Sequence, residues 1–236
     1  MNESCLISQK AGLGDIIYLQ TLIKSLPYKK VYWPVTEAFL DSCQRHLNVD
    51  KITYLPEMET LPTVTHGLNF EFAHYIKPSP VKSIMYAKYE LFGMNPADWI
   101  RDCSFDRFPS KEKELFDKLK IKKNYKLVNL NFGSVPENEH SGHRRRDLEE
   151  KFKDDASVVQ IRPVDGFSLF DWSYIIENAD EIHTVETSVV YLVELLQTTN
   201  KLFMYRKGSQ EDFFKFYDNW DYITDIHHKK WDYEEI

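Results

Sequence analysis

The chain is 236 residues long, carries a formal net charge of −7 and is 42% hydrophobic, enough for one large domain or two compact ones rather than a disordered chain. The acidic balance argues against broad nucleic-acid binding, which needs a basic face, while leaving room for a local basic pocket. No run approaches the ~20 apolar residues of a membrane span, Met1 to Gln9 is too short and polar for a secretory signal, and Cys5, Cys43 and Cys103 read as reduced thiols of a cytoplasmic protein.

In chain order, Ser4 to Ser8 reads as a strand. Ile16 to Leu26 follows as a helix, with Ile16, Leu19, Leu22, Ile23 and Leu26 at helical spacing. Lys30 to Val35 is a strand, Thr36 is placed to cap a helix running to His46, and Ile52 to Leu55 is a further strand. After a proline-bearing loop come a strand from Gly67 to Phe72, a helix from Val81 to Phe92 and a shorter one from Pro96 to Arg101. The polar stretch around Phe108 marks a boundary. Beyond it the alternation repeats: helix Lys111 to Leu119, strand Lys126 to Phe132, helix Arg144 to Phe152, strand Val158 to Arg162, helix Leu169 to Asn178 and strand Glu181 to Val185. It closes with helix Ser188 to Leu196, strand Lys201 to Tyr205, helix Gln210 to Tyr217 and strand Tyr222 to Ile226. Strand and helix alternate in both halves, which predicts an α/β protein with parallel sheets and right-handed crossovers. The halves, 1–108 and 109–236, read as two Rossmann-like domains facing a central cleft, with ligands expected at the carboxyl ends of the strands.

Two stretches carry chemistry. The first is Gly12-Leu13-Gly14-Asp15, between the first strand and the first helix. Glycines there permit close approach to the unpaired N–H groups of a helix start. A carboxylate at that place opposes a phosphate. It suits either the helix N-terminus itself or a proton taken from a substrate hydroxyl. A tight turn capped by Asp15 is the structural alternative. The second stretch is Glu186-Thr187-Ser188, between a strand and an apolar helix. Its hydroxyls can bond a sugar or phosphate and its carboxylate can accept from sugar hydroxyls, or Thr187 and Ser188 simply cap the helix.

Together these stretches resemble the lipopolysaccharide heptosyltransferases, glycosyltransferase family nine, within the GT-B superfamily. That family opens with a strand and a Gly-Asp pair before an apolar helix, as in Gly14-Asp15-Ile16-Ile17, and ends with an Asp-Thr-Gly motif and a histidine three residues on. Here Glu186-Thr187-Ser188 replaces the motif and Tyr191 replaces the histidine, which puts donor, sugar and acceptor in question more than fold. The resemblance implies a metal-independent, inverting glycosyltransferase. The first domain would take an acceptor, most simply a glycan hydroxyl, and the second a nucleotide-sugar donor. Asp15 would be the base, with Gly12, Leu13 and Gly14 as the loop at the cleft. Glu186, Thr187 and Ser188 would hold the donor, and Gly133-Ser134 would lie near its diphosphate. No metal and no other cofactor are expected.

A departing diphosphate needs cations or helix N-termini. Within His143-Arg144-Arg145-Arg146, Arg144 or Arg146 is the candidate, and Arg162 is another; Lys207 is a weaker one. A solvated charge run beside Asp147-Leu148-Glu149-Glu150 is the plainer reading. The aromatics of Gly166 to Trp172 either border a nucleobase or, preferably, pack a helix start. The histidines show no metal spacing, His227-His228 reads as surface, and no Asp-X-Asp follows a strand. Two further functions stay open: transfer to a hydroxymethylated base in DNA, and a non-catalytic nucleotide-binding protein of GT-B shape.

Overall fold

Strand β1 (Ser4–Ser8) runs between β2 (Lys30–Val35) and β4 (His66–Asn69), and β3 (Ile52–Pro56) completes a parallel four-stranded sheet ordered β3-β2-β1-β4. The computed structural model describes residues 4–10, 12–57, 60–71, 84–131, 145–205 and 226–234. They divide into two compact units, the first reaching Asp106 and including 226–228, the second starting at Arg107 and including 229–234.

In the first unit, helix α1 (Leu13–Ser25) links β1 to β2, and α2 (Glu37–His46) links β2 to β3. Helix α1 is apolar almost all round, and such a helix is buried on every side: Ile16, Ile17, Tyr18, Leu19, Leu22 and Ile23 are all inaccessible. Its few polar groups therefore need partners inside the unit. Gln20 Nε2 donates to the Tyr54 hydroxyl at 2.8 Å, and the Tyr18 hydroxyl donates to the Pro96 carbonyl at 3.3 Å. Pro96–Ile100 is a single 3₁₀ turn whose Trp99 is fully buried, with Nε1 donating to the Ile226 carbonyl at 2.6 Å. Helix α3 (Ile84–Glu90) adds buried Ala87, Lys88 and Tyr89, the last donating its hydroxyl proton to the Tyr18 carbonyl at 2.7 Å. Thr36 holds the N-cap position of α2 but does not cap it. Its hydroxyl donates instead to the Lys10 carbonyl at 3.0 Å, tying the helix start to the chain beyond β1.

The second unit holds β5 (Lys126–Asn129), β6 (Val158–Gln160), β7 (Glu181–Val185), β8 (Lys201–Tyr205) and β9 (Asp232–Glu234), all parallel and ordered β6-β5-β7-β8-β9. Its helices are α4 (Pro109–Lys118), α5 (Arg146–Phe152), α6 (Ser173–Asn178) and α7 (Ser188–Leu195). Pro109 opens α4 where its missing N–H costs nothing. The stretch Gly166 to Trp172 fixes a helix start, as preferred above. Ser168 and Asp171 form a capping box ahead of a 3₁₀ turn, Leu169–Trp172, and Phe170 and Trp172 are buried. His183 is also core: its ring stacks on Phe203 at 4.4 Å, and its nitrogens lie 2.9 Å from the Tyr205 hydroxyl and 3.2 Å from Glu181. Glu194 of α7, 5% exposed, accepts from the Lys229 amide at 3.0 Å and from Trp231 Nε1 at 2.6 Å, anchoring the segment that leads into β9. The expected helix Gln210 to Tyr217 lies outside the described residues, as does the expected strand Tyr222 to Ile226 except for Ile226.

His227, expected at the surface, is half-buried, and burial together with neighbouring His228 pushes its pKa down to about 4. An unfolded histidine titrates near 6.5, so between about pH 6.5 and 4 the unfolded chain binds a proton that the folded chain does not. The contribution is intact above the upper value and lost as pH falls toward the lower one, on the order of 3 kcal/mol in all. His227→Gln is expected to flatten the urea midpoint across this window while leaving it near wild type at pH 8. An unchanged pH slope would contradict the assignment.

Candidate functional site

In each sheet the order of connection reverses once, and in open α/β sheets ligands bind outside the carboxyl ends of the strands at such a switch point. In the first unit the switch lies between β1 and β4. There the Phe70 amide donates to the Ser8 carbonyl at 3.0 Å and the Lys10 amide to Glu71 Oε1 at 3.2 Å.

The chain leaving β1 reaches Gly12, the N-cap of α1, at φ 84°, in the left-handed region that glycine adopts without strain. The Gly12 carbonyl accepts the Ile16 amide at 3.1 Å and starts the helix. The backbone rotation demands glycine, and a β-carbon there would fall on Asp15 Oδ2 and oblige that carboxylate to move. No side chain caps α1. Asp15, in its first turn, instead pairs through Oδ1 with the Lys88 ammonium, which also donates to Gln9 Oε1 at 2.7 Å. The Lys88 side chain is 1% exposed and that of Asp15 27%, so the carboxylate is held from the inside and open to solvent from the outside. Leu13 and Gly14, ahead of Asp15 in the same turn, are buried. Sequence reasoning missed Lys88 and Gln9. The only available signal was a lysine set among the apolar residues of Ile-Met-Tyr-Ala-Lys-Tyr, 73 positions from its partner.

In the second unit the switch lies between β5 and β7. Asn129 ends β5 opposite Thr184 of β7. It is 4% exposed, and its Nδ2 donates to Thr184 Oγ1 and to Thr187 Oγ1, both at 3.0 Å. Thr187 occupies the N-cap of α7 without capping it, because its hydroxyl serves Asn129. Glu186, Thr187 and Ser188 thus follow the carboxyl end of β7 and are each half-buried, beside the first amides of α7. Such amides have no intrahelical partner and favour anions. Tyr191 is 4% exposed within the apolar body of α7.

The remaining candidates are less gathered. Arg162 lies beyond the carboxyl end of β6 and is exposed; Arg146 opens α5 and is exposed. Between the two arginines expected to matter, Arg145 is the buried one: its Nε donates to Asp147 Oδ1 at 2.7 Å, and its guanidinium holds the Asp147 carboxyl below the usual range. A planar fork matched to a carboxylate accounts for that preference. Gly133, Ser134, Arg144 and Lys207 lie outside the described residues. Among the described residues no three His, Cys, Asp or Glu side chains gather as metal ligands, and no helix is long and apolar enough to cross a membrane.

No protein-family model matches the sequence, and comparison with curated proteins gives no match. Among solved structures, the chain is similar to the iron-containing dodecameric glycosyltransferase TibC of enterotoxigenic E. coli, with 11% identity and a TM-score of 0.52 over 86% of this chain and 58% of TibC. This chain therefore matches little more than half of TibC's length. Two further similar structures are the E. coli heptosyltransferase WaaC with ADP (13% identity, TM-score 0.44, 86% of each chain) and a family-nine glycosyltransferase of Veillonella parvula (9% identity, TM-score 0.47, 88% of this chain and 82% of that one). The TibC match sets what is shared: a mixed α/β fold with parallel sheets. The resemblance to the heptosyltransferases drawn from the two sequence stretches holds at the level of fold.

Proposed function

We propose that this chain is a GT-B-type glycosyltransferase. In this reading the first unit takes an acceptor hydroxyl, most simply of a glycan, and the second takes a nucleotide sugar. The placement of Asp15 carries the reading. It is a carboxylate at a switch point, at the mouth of a glycine-opened helix, fixed on one oxygen and accessible on its outer side. Asp15 accepts the acceptor's proton as the hydroxyl oxygen bonds to the anomeric carbon. The bond from that carbon to the diphosphate breaks, and configuration inverts. The leaving diphosphate is stabilised by the first amides of α7, by the hydroxyls of Thr187 and Ser188 and by Arg162, without a metal ion. Glu186 accepts from sugar hydroxyls.

Transfer assays with a panel of ADP-, UDP- and GDP-sugars and glycan acceptors test this. Asp15→Asn is expected to lower turnover roughly 10³-fold while nucleotide affinity stays within about twofold of wild type, the mark of a lost base rather than a lost binding contact. Equal turnover in the two proteins would refute the assignment. One observation favours a second reading, a non-catalytic nucleotide-binding protein: Tyr191, where the resembled family carries histidine, is only 4% exposed within the apolar α7. Nucleotide binding with no turnover in wild type would establish that reading instead.

A further inference from the structure

We infer that Lys88 is the positioning residue for the Asp15 carboxylate, an inference that rests on the glycosyltransferase reading. An ammonium removed from water needs counter-groups, and a buried charge left unmatched is costly. Among the described residues, both groups that meet the Lys88 ammonium come from the same short piece of chain. Gln9 follows the end of β1, and Asp15 lies in the first turn of α1. Lys88, brought in by α3, therefore clasps the loop that Gly12 opens on both of its sides.

The effect on the carboxylate is specific. An aspartate in the first turn of a helix has several side-chain rotamers open to it. Here the ammonium takes Oδ1, and Oδ2 occupies the space that the missing Gly12 side chain leaves. Each oxygen is thereby assigned a place before any substrate arrives. With the ammonium gone, Oδ1 loses its anchor and the carboxylate is free to turn. Misplacement of a reacting group by about 1 Å costs on the order of 10²-fold in rate. Lys88 is 1% exposed, so it acts through Asp15 and does not meet the substrate itself.

Steady-state kinetics of wild type, Asp15→Asn, Lys88→Met and the double variant test the inference. Methionine fills the lysine stem's volume without its charge. Lys88→Met is expected to lower kcat about 10²-fold, to leave the donor KM within about twofold, and to add nothing to Asp15→Asn, because the two residues act as one unit. A general structural loss would instead multiply with the Asp15→Asn effect. Lys88→Ala supplies an independent reading: added methylamine should raise its kcat saturably, and sodium chloride of equal ionic strength should not. Wild-type kcat in Lys88→Met, or multiplicative losses in the double variant, overturns the inference while the glycosyltransferase reading stands. A wild type that transfers from no sugar nucleotide overturns that reading, and this inference with it.

Discussion

Gly12→Ala should lose nearly as much turnover as Asp15→Asn, roughly 10²- to 10³-fold, through a single added carbon. The residue adopts φ 84°, where an L side chain is strained by about 1–2 kcal/mol, so a modest fall in melting temperature accompanies the substitution. The larger effect is on the carboxylate. The new β-carbon would fall on Asp15 Oδ2, so the carboxylate has to leave the position in which its Oδ1 meets Lys88. Gly67 in β4 is the control: its φ lies outside the left-handed region and nothing lies within 4 Å of an added β-carbon, so Gly67→Ala should match wild type in both assays. Transfer kinetics and thermal melting of the two variants check this together. Wild-type turnover in Gly12→Ala would show that the Asp15 carboxylate has no fixed working position.

Arg107→Ala should destabilise the second unit by about 3 kcal/mol. Arg107 Nε donates to Glu112 Oε1 at 2.9 Å and its Nη1 to Glu177 Oε1 at 2.8 Å, so one guanidinium joins the first turn of α4 to α6. These carboxylates raise the Arg107 pKa, the hydrogen bond that Arg107 donates to Glu112 most of all. Glu112 is 1% exposed. Removing the guanidinium leaves that carboxylate buried with no counter-charge, and the penalty comes from the stranded group more than from the lost bond. The double change Arg107→Met with Glu112→Leu should therefore recover most of the loss, because it deletes both charges and fills their space. Urea unfolding of the single and double variants measures the difference. A double variant weaker than Arg107→Ala would show that the pair stabilises beyond mutual compensation.

How legible the fold was depended on how local its causes are. Strands β1, β2, β7 and β8 begin and end where the sequence pattern puts them, because each is a short apolar or alternating run closed by polar or turn-forming residues. Helix α1 starts earlier than Ile16: Leu13 and Gly14 show no helical period, and the start is set by the Gly12 backbone. Strand β9, Asp-Tyr-Glu, has no apolar pattern at all and exists because β8 offers an edge and Glu194 holds the preceding segment. The same division runs through the site. Asp15 and Thr187 were nameable as candidates because glycines and hydroxyls at strand-to-helix junctions form a local signature. Lys88, Gln9 and Asn129 could not, since their roles are set by partners brought near only by the fold. Thr36 and Thr187 stand at cap positions, as composition suggests, yet each hydroxyl bonds a neighbour across the fold instead.

The described residues 226–231 pass from the first unit into the second. The Ile226 carbonyl takes the indole proton of Trp99 in the first unit, while Lys229 and Trp231, a few positions on, are bound by Glu194 in the second. No single cut in the coding sequence can therefore yield two self-sufficient fragments. Division near Arg107 strands the Trp99 indole in one product and burdens the other with the peptide that should have met it. Any programme that expresses, swaps or permutes the halves separately has to carry this terminal ribbon with both.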